Sequence, residues 1–518
     1  MSAPYSLDDG SVVVVVGSGA GGGVMSRELA ERGIDVVCLE AGRHIAFDEI
    51  VNDEDLMFKK LTWREKRIGS GDLDPQFPVW IGRGVGVTTL HWTANLVRMQ
   101  AHEFAPLSTY GVVDGGSAID WPITLDELAP FYDLAERKMG ATGTNGWPML
   151  PEGNNFKVLK AGARRIGYKE INNGVMAINS VYRDGRPPCQ QLGFCKSGCA
   201  VNAKWTTAWS ELPAATRTGH FELRTGAVVL RIEHNKKGRI TGVVYADGSG
   251  ARHRQKARLV VMAANAIDTP RILLNSHSGL FPDGLANGSG QVGRNYMRHM
   301  FGSVFAIMPG EVNFYRTTQN AGMISDERPF RPECGFAGGY EFEGVSFSPS
   351  ALAQYLIPDG WGRELTSALE QYRNFAGMLV VGEDPPLARN GITLHPGEKD
   401  AHGLPVPVVH YDDSPNNKAM RAHAFRQGGR IFDSLGAKKV FFGHPPPATH
   451  NMGTCRMSAS PADGVANRWG QSHQVDNLFI ADGSLMASAG GGNPTVTIVA
   501  LAIREAAYIA RQMAGGAL

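Results

Sequence analysis

The sequence lacks the features that mark several specialised protein classes. Cysteine is scarce, with 6 residues in 518, which excludes a disulfide scaffold and favours a reducing compartment. No apolar run approaches the roughly 20 residues of a membrane-spanning helix. The net charge is only +1, without a basic tract, so neither nucleic acid nor an anionic membrane is expected as a partner. The first residues show no signal-peptide pattern, so a cytoplasmic protein is expected.

The most informative segment is residues 12–43, VVVVVGSGAGGGVMSRELAERGIDVVCLEAGR. Five valines predict a buried strand, and a G-x-G-x-x-G turn follows with Gly17, Gly19 and Gly22. A helix-compatible stretch and a second apolar run ending at Glu40 complete the pattern. In such a unit a pyrophosphate binds at the helix N-terminus, and the acid accepts hydrogen bonds from ribose hydroxyls. The segment predicts dinucleotide binding, the alternative being an ordinary glycine-rich turn.

The length and the alternation of patterns predict several domains. With 43% hydrophobic and 19% charged residues the chain is globular, and 518 residues exceed one compact core. Strand and helix patterns alternate in residues 1–115, 200–300 and 436–518, which predicts a discontinuous nucleotide-binding domain. Residues 301–435 contain shorter alternating runs, such as ITLHP and VPVVHY, and predict an inserted antiparallel sheet that binds substrate. Residues 116–199 are expected to connect the two.

Several motifs, in order along nearly the whole chain, resemble the glucose–methanol–choline (GMC) flavin oxidoreductases. They are the nucleotide motif and residues 84–92 (GVGVTTLHW), 263–271 (AANAIDTPR), 292–299 (VGRNYMRH), 450–457 (HNMGTCRM) and 492–495 (GNPT). The resemblance implies an α/β fold, α+β overall, with a Rossmann-like FAD-binding domain and an inserted antiparallel-sheet domain. It also implies FAD as the cofactor. A nicotinamide dehydrogenase with the same nucleotide motif is the rival interpretation.

The resemblance and the nucleotide motif together imply a set of cofactor contacts. These are Gly17, Gly19, Gly22, Glu40, Arg43, Gly86, Thr88, Thr89, His91, Val229, Ala263, Asp482 and Thr495. Val87 and Asn265 depart from the family pattern, because each stands where glycine is usual. The sequence around His91 most resembles that of bacterial FAD-dependent glucose, fructose and gluconate dehydrogenase flavoproteins and of pyranose-oxidase-like enzymes. In pyranose oxidases that histidine carries the flavin covalently; non-covalent packing against the flavin is the favoured interpretation for His91.

The C-terminal motifs predict the chemistry. Oxidising an alcohol requires a base for the hydroxyl proton and an acceptor for the hydride, which is flavin N5. His450 is the expected base, because imidazole titrates near neutrality. Asn493 is expected to orient the substrate hydroxyl or to stabilise a developing alkoxide. Without the resemblance, Asn493 is equally well explained as a cap of the last helix. His444, in a proline-rich loop, is a second candidate for the pocket.

Three cysteines, Cys189, Cys195 and Cys199, lie in one loop with C-x5-C-x3-C spacing. The spacing resembles that of bacterial FAD glucose and fructose dehydrogenases, which implies a possible [3Fe-4S] cluster held by three thiolates. The alternative is three ordinary thiols, as in other GMC branches, whereas zinc lacks a fourth ligand. A cluster favours a small partner subunit and a cytochrome c or quinone acceptor. Without a cluster, oxygen or a soluble quinone is the acceptor.

The combined hypothesis is FAD-dependent oxidation of an alcohol group in a sugar, glycoside or other polyol. A dehydrogenase is favoured over an oxygen-using oxidase, and a lyase with the GMC fold is the rival enzyme class. Export together with a signal-bearing subunit is an alternative that places the protein in the periplasm. Tyr340, Phe342, Phe347, Tyr355 and Trp361 form an aromatic-rich stretch that either stacks on a substrate ring or, as slightly favoured, belongs to the core.

Overall fold

The computed structural model describes residues 5–356, 360–443 and 448–518, without the side chains of residues 354 and 355. His444 and the side chain of Tyr355 therefore lie outside the described residues. The strands are Val13–Val16 (β1), Val36–Glu40 (β2), Ile68–Gly71 (β3), Ile171–Asn172 (β4), Phe221–Thr225 (β5), Val228–His234 (β6), Ile240–Ala246 (β7), Arg252–Lys256 (β8), Leu259–Met262 (β9), Met300–Ile307 (β10), Met323–Ile324 (β11), Tyr340–Gly344 (β12), Phe375–Gly382 (β13), Gly391–Lys399 (β14), Pro405–Tyr411 (β15), Lys439–Gly443 (β16) and Leu478–Ile480 (β17). The α-helices are Ala20–Ala30 (α1), Glu54–Leu61 (α2), Thr88–His91 (α3), Pro106–Tyr110 (α4), Leu125–Met139 (α5), Asn154–Arg165 (α6), Glu211–Arg217 (α7), Asn265–Asn275 (α8), Pro349–Leu356 (α9), Arg363–Glu370 (α10), Pro415–Asp433 (α11) and Thr495–Ala514 (α12).

A parallel sheet of five strands, in the order β17-β9-β1-β2-β5, carries the nucleotide motif. Its central strand β1 is buried throughout, and α1 packs against the C-terminal helix α12. Parallel strands covered by helices have continuous apolar sequences, which explains the run of valines. The predicted strand, helix and second strand ending at Glu40 are confirmed.

The second sheet has six antiparallel strands in the order β16-β10-β13-β12-β11-β4. Helices α6 and α11 pack on it over a core rich in phenylalanine and methionine. An inserted antiparallel sheet was therefore predicted correctly, but its two edge strands lie outside the predicted range 301–435. Both edge strands, β4 and β16, are short, and a short strand at a sheet edge can come from a distant part of the chain. The range predicted from sequence therefore missed them.

The segments ITLHP and VPVVHY belong to a third, smaller sheet. They lie in β14 and β15, which pair with each other, and β15 pairs in parallel with β3 near the N-terminus. Their strand conformation was predicted, but their place in the inserted sheet was wrong. The remaining strands, β6, β7 and β8, form a separate antiparallel sheet. Among the described residues no helix has the length and apolar character needed to cross a bilayer.

One cavity of about 660 Å³ lies where the two large sheets meet. On one side it is lined by residues at the carboxyl ends of β1, β2 and β9. On the other side it is lined by residues of β10, β12 and β13. Ligands of α/β sheets bind in the crevice at the carboxyl ends of the parallel strands, so this cavity is the candidate site.

Candidate active site

The glycines of the nucleotide motif bring three backbone segments together at one end of the cavity. Gly17 has φ +99°, and a Cβ there would lie 2.4 Å from the carbonyl oxygen of Ala263. A Cβ at Gly22 would lie 2.0 Å from the carbonyl oxygen of Gly17. Gly19 lines the cavity at the start of α1, whose first N–H groups have no partner within the helix. This end of the cavity is therefore built for close approach of an anionic group to backbone.

Glu40 is the acid of the nucleotide motif and is buried in the cavity wall. One carboxylate oxygen accepts hydrogen bonds from Ser18 N (3.0 Å) and Ser18 Oγ (2.7 Å). The other oxygen accepts a hydrogen bond from Gly42 N (2.8 Å). Burial raises the pKa of Glu40, and these hydrogen bonds partly offset the rise. Because a carboxylate offers about four lone-pair sites, Glu40 can still accept hydrogen bonds from a ligand.

Most of the predicted cofactor contacts line this cavity. They are Gly17, Gly19, Glu40, Thr88, Thr89, His91, Val229, Ala263, Asp482 and Thr495. Three predicted contacts lie outside its wall. Gly22 packs α1 against the turn, and Gly86 donates its N–H to Ser18 Oγ at 3.0 Å. Arg43 is at the surface, where Glu49 accepts two hydrogen bonds from its guanidinium at 2.8 and 2.7 Å, and its role as a cofactor contact stays a prediction.

The two positions that depart from the family pattern both have left-handed backbone. Val87 has φ +46° and ψ −126°, and Asn265 has φ +68°. Asparagine tolerates this region, because its short polar side chain bonds locally, whereas a β-branched residue there is strained. Asn265 Oδ1 accepts such a bond from Ile267 N at 2.8 Å. Both positions thus have a positive φ, which glycine adopts without strain.

His91 is fixed in the cavity wall as a neutral ring. It stacks on Trp80 with 4.6 Å between ring centroids and an interplanar angle of 17°. Burial and the Lys204 ammonium lower the pKa of His91 to about 3. Lys204 is itself buried and donates hydrogen bonds to the carbonyl oxygens of Leu90 and Trp92 at 2.7 and 2.8 Å. These bonds clamp the segment that carries His91.

The predicted catalytic pair is brought together in the wall of the same cavity. His450 Nε2 is 3.5 Å from Asn493 Nδ2, and both residues line the cavity. His450 Nδ1 is 2.9 Å from His299 Nδ1, and His299 Nε2 is 3.1 Å from the carbonyl oxygen of Ala489. The structure therefore brings His450 and Asn493 together and adds His299, which belongs to the motif at residues 292–299 but was assigned no role from the sequence.

These contacts decide which nitrogen of His450 carries the proton. A carbonyl oxygen only accepts, so His299 carries its proton on Nε2 and accepts at Nδ1. His450 then donates from Nδ1 to His299, which leaves Nε2 of His450 unprotonated and able to accept, as in its 3.5 Å contact with Asn493 Nδ2. Burial and the neighbouring His299 hold the pKa of His450 well below its usual range, and burial lowers the pKa of His299 to about 4. The pair is neutral, with a base directed toward Asn493.

The first turn of α12 and the residue Asp482 also line the cavity, next to the start of α1. Asp482 accepts hydrogen bonds from Thr269 Oγ1 at 2.6 Å and from Ser484 N at 2.8 Å. Thr495 is the first residue of the 20-residue helix α12 and lines the cavity together with Pro494. The partial positive charge of a helix N-terminus therefore acts on the cavity and favours an anionic ligand.

Sequence reasoning missed several polar groups in the same cavity wall. They are Asn95, Lys196, Asn320 and Glu343. One signal was available, because β12 reads YEFEG and places two acids at alternate positions of a strand that is wholly buried. Charged residues in an otherwise aromatic strand require an explanation beyond packing. The aromatic stretch itself divides: Tyr340, Phe342 and Phe347 are buried, Phe347 also lines the cavity, and Trp361 is exposed.

The three loop cysteines lie outside the wall of this cavity. Burial, with a contribution from the other two thiols, raises the pKa of Cys195 to about 12. In the part of the chain that the structure describes, only His102, Glu103 and Glu383 bring three potential metal-binding atoms within 4.8 Å of one another. The cysteine sulfurs thus do not converge on a single ion such as zinc. The [3Fe-4S] cluster stays a prediction.

Comparison with known proteins agrees with the geometry of this site. Two GMC oxidoreductase family models match, one at residues 113–301 and the other at residues 386–502. The 2-methyl-1,2-propanediol dehydrogenase of Mycolicibacterium austroafricanum is 32% identical, over 97% of this chain and 96% of the relative. The chain belongs to the GMC oxidoreductase family. It is therefore a flavin oxidoreductase that acts on alcohol groups, and FAD is the cofactor expected for the family.

Other GMC relatives cover the chain equally well. Paromamine 6'-oxidase of Streptomyces fradiae is 29% identical, over 96% of this chain and 91% of the relative. The fructose dehydrogenase large subunit of Gluconobacter japonicus is 28% identical, over 97% and 98%. The fold matches the pyridoxine 4-oxidase from Mesorbium loti, with TM-score 0.66 and 17% identity over 96% of this chain and 98% of that one. Aspergillus oryzae formate oxidase matches with TM-score 0.71 and 14% identity, over 97% and 98%.

Proposed function

We propose that this protein is an FAD-dependent dehydrogenase that oxidises one hydroxyl group of a polyol or sugar-like substrate and passes the electrons to an external acceptor. The observation that carries the proposal is the neutral His450, whose unprotonated Nε2 lies beside Asn493 in the cavity wall. An unprotonated imidazole nitrogen beside an amide is an arrangement that suits proton removal from a hydroxyl.

The residues of the cavity suit FAD. Gly17, Gly19 and the start of α1 offer backbone to a pyrophosphate, and Glu40 offers oxygens to a ribose. The part of the cavity lined by His450, Asn493 and the start of α12 would hold the flavin ring system. When bound there, FAD supplies the hydride acceptor of the reaction.

The side chains divide the remaining work between them. His450 Nε2 takes the hydroxyl proton of the substrate, and its pKa lies low enough for it to be free at neutral pH. Asn493 is near enough to hold the same hydroxyl oxygen through Nδ2. His299 keeps the proton of His450 on Nδ1, so that Nε2 stays available. His299 is in this sense a positioning residue.

The substrate class is supported by the names of the relatives. These name a 1,2-diol, an aminoglycoside and a sugar as the compounds on which those enzymes act. Both dehydrogenases and oxidases are among them. The fructose dehydrogenase relative is named as a large subunit, and a gluconate 2-dehydrogenase relative from Pantoea cypripedii is named as a flavoprotein. These names support transfer of electrons to a partner in preference to oxygen.

Anaerobic reduction of the bound flavin tests the proposal. Mixing the yellow holoenzyme with a panel of diols, sugars and polyols should bleach the oxidised flavin absorbance for at least one of them. Product formation without bleaching would overturn the proposal in favour of a lyase. Oxygen consumption as fast as reduction of a quinone dye would overturn the dehydrogenase assignment and leave an oxidase.

The variant His450→Ala extends this test. It should retain FAD and reduce the rate of bleaching by roughly 100-fold or more, because general base catalysis contributes about that much. His220→Ala is a matched control, since His220 is a surface residue that pairs with Asp35 outside the cavity. Normal bleaching by His450→Ala would remove His450 as the base.

A further inference from the structure

Glu343 is a buried carboxyl group in the wall of the catalytic cavity, and the mechanism above does not use it. It lies on β12 and is only 1% exposed. Asn95 Nδ2 and Asn320 Nδ2 donate hydrogen bonds to its Oε2 at 2.9 and 2.6 Å. Two amides from separate segments of the chain thus converge on a single oxygen, which fixes the orientation of the carboxyl group.

The other oxygen of Glu343 is the unusual one. Among the described residues Oε1 is buried and makes no hydrogen bond of normal geometry, although the Asn493 side chain is within weak hydrogen-bonding reach of the carboxyl group. Asn493 Oδ1 and Asn95 Oδ1 are also buried without a partner, and all three residues line the cavity. Leaving a buried polar atom unpaired costs roughly 1–3 kcal/mol, so three in one wall indicate a ligand that donates hydrogen bonds.

The position of Glu343 relates it to the reacting hydroxyl. Asn493 is near both groups, because its amide is 3.5 Å from His450 Nε2 and its side chain is also a weak hydrogen-bond partner of the Glu343 carboxyl group, whose pKa it lowers. Burial and Glu341 act in the opposite direction and raise the pKa of Glu343 to about 8. Asn493 therefore lies beside both His450 and Glu343, so two neighbouring hydroxyl groups of one small substrate can reach the base and the carboxyl group.

We propose that Glu343 Oε1 holds a second hydroxyl group of the substrate, next to the one that His450 deprotonates, and that the enzyme thereby selects vicinal diols over simple alcohols. The inference rests on the proposed function and adds a specificity-determining residue to it. A site built to bond a substrate hydroxyl discriminates strongly against the analogue that lacks it, because the polar group of the site is then left unpaired.

Glu343→Gln is a sharp test of this role. The amides of Asn95 and Asn320 only donate at this point, so the new side chain places its carbonyl oxygen toward them. Its NH2 group then takes the position of Oε1, where it can only donate, whereas the carboxyl oxygen it replaces can accept a hydrogen bond whether the group is ionised or protonated. Glu341→Gln is the matched control, since Glu341 lies on the same strand and face, is equally buried and is outside the cavity wall.

The experiment compares 1,2-propanediol with 1-propanol, which differ by one hydroxyl group, in anaerobic flavin reduction by the holoenzyme. The wild type should reduce its flavin with the diol at least about 10-fold more efficiently, from one hydrogen bond of roughly 1.4 kcal/mol. Glu343→Gln should lose most of this preference by slowing the diol, with the rate for 1-propanol changed less than about twofold. Glu341→Gln should keep the preference of the wild type.

The outcomes separate the two proposals. If no alcohol of the panel reduces the flavin, the proposed function is wrong, and the role of Glu343 is lost with it. If flavin is reduced but the wild type does not prefer the diol, or Glu343→Gln slows both alcohols equally, only the role of Glu343 is wrong. The wild-type ratio keeps the inference testable even if Glu343→Gln fails to retain FAD.

Discussion

The chemistry of individual residues depends on how burial and hydrogen bonds set their protonation states. His299 is buried, and its two ring nitrogens contact an acceptor on one side and His450 on the other. It therefore does for His450 what a backbone carbonyl or carboxylate does for many catalytic histidines, which is to select the tautomer. A histidine in this role stays neutral in the folded protein, and this has a consequence for stability.

We expect the folded protein to lose stability in acid through His299. Burial lowers its pKa to about 4, whereas an unfolded histidine titrates near 6.5. Below pH 6.5 the unfolded chain binds the extra proton, so this residue costs up to about 3 kcal/mol as the pH falls from 6.5 toward 4. His299→Gln, which cannot titrate, should show a smaller drop in unfolding midpoint between pH 7 and pH 4.5. An equal drop in both proteins would contradict the low pKa.

At the scale of an element, the turn that leads into α3 carries strain. Val87 precedes α3, lines the cavity and has the left-handed backbone that glycine adopts without penalty. Such a conformation costs of order 1–3 kcal/mol in a residue with a Cβ. Because α3 carries Thr88, Thr89 and His91, the strain is stored in the segment that lines the candidate flavin site.

Val87→Gly should therefore stabilise the protein against unfolding. Glycine has more conformational freedom in the unfolded chain, which lowers the free energy of unfolding by roughly 0.5–1 kcal/mol. The relief of strain exceeds this cost, so the free energy of unfolding should rise by about 1 kcal/mol. Denaturant unfolding of the FAD-loaded protein measures it. Val85→Gly is the control from the same turn, because Val85 is buried at 2% exposure without left-handed backbone and should be destabilised by the change. A destabilised Val87→Gly would show that the backbone is not strained there.

At the scale of the whole molecule, the candidate FAD site joins distant parts of the chain. Its walls include Gly17 and Glu40 from the N-terminal segment, Val229 from the middle, and Asp482 and Thr495 from the C-terminal segment. A ligand that binds only the folded protein stabilises it by RT ln(1 + [L]/Kd). FAD bound here would therefore hold the N- and C-terminal segments to one another.

Glu40→Ala should weaken FAD retention more than turnover. The change removes the carboxylate that faces the nucleotide end and frees Ser18, while His450 and Asn493 are untouched. We expect a lower ratio of FAD to protein after gel filtration, and turnover restored to within a few-fold by excess FAD. Glu49→Ala, which removes the surface partner of Arg43, should retain FAD like the wild type. Full retention by Glu40→Ala would exclude Glu40 as a cofactor contact.

The sequence predicted the local units of this fold well. The strand, turn and helix from Val12 to Glu40 follow from residues that are neighbours in the chain, as do the long helix α12 and the strand that leads into α8. The membership of edge strands could not be predicted, because β4 and β16 are only 2 and 5 residues long and join their sheet from far away. The pairing of Arg43 with Glu49 at the surface was not indicated by the sequence either, because a neighbouring carboxylate carries no pattern that assigns it a partner.

By itself the sequence determined the class of the protein: the apolar strand, the glycine turn, Glu40, and the motifs at His450 and Asn493 are enough to specify a flavin oxidoreductase of the GMC type. Only the tertiary structure decided the state of the site. His299 lies 151 residues from the histidine it contacts, and Glu343 lies 248 residues from Asn95. Short-range patterns carry no signal for such pairs, because it is the packing of the two sheets that brings them together.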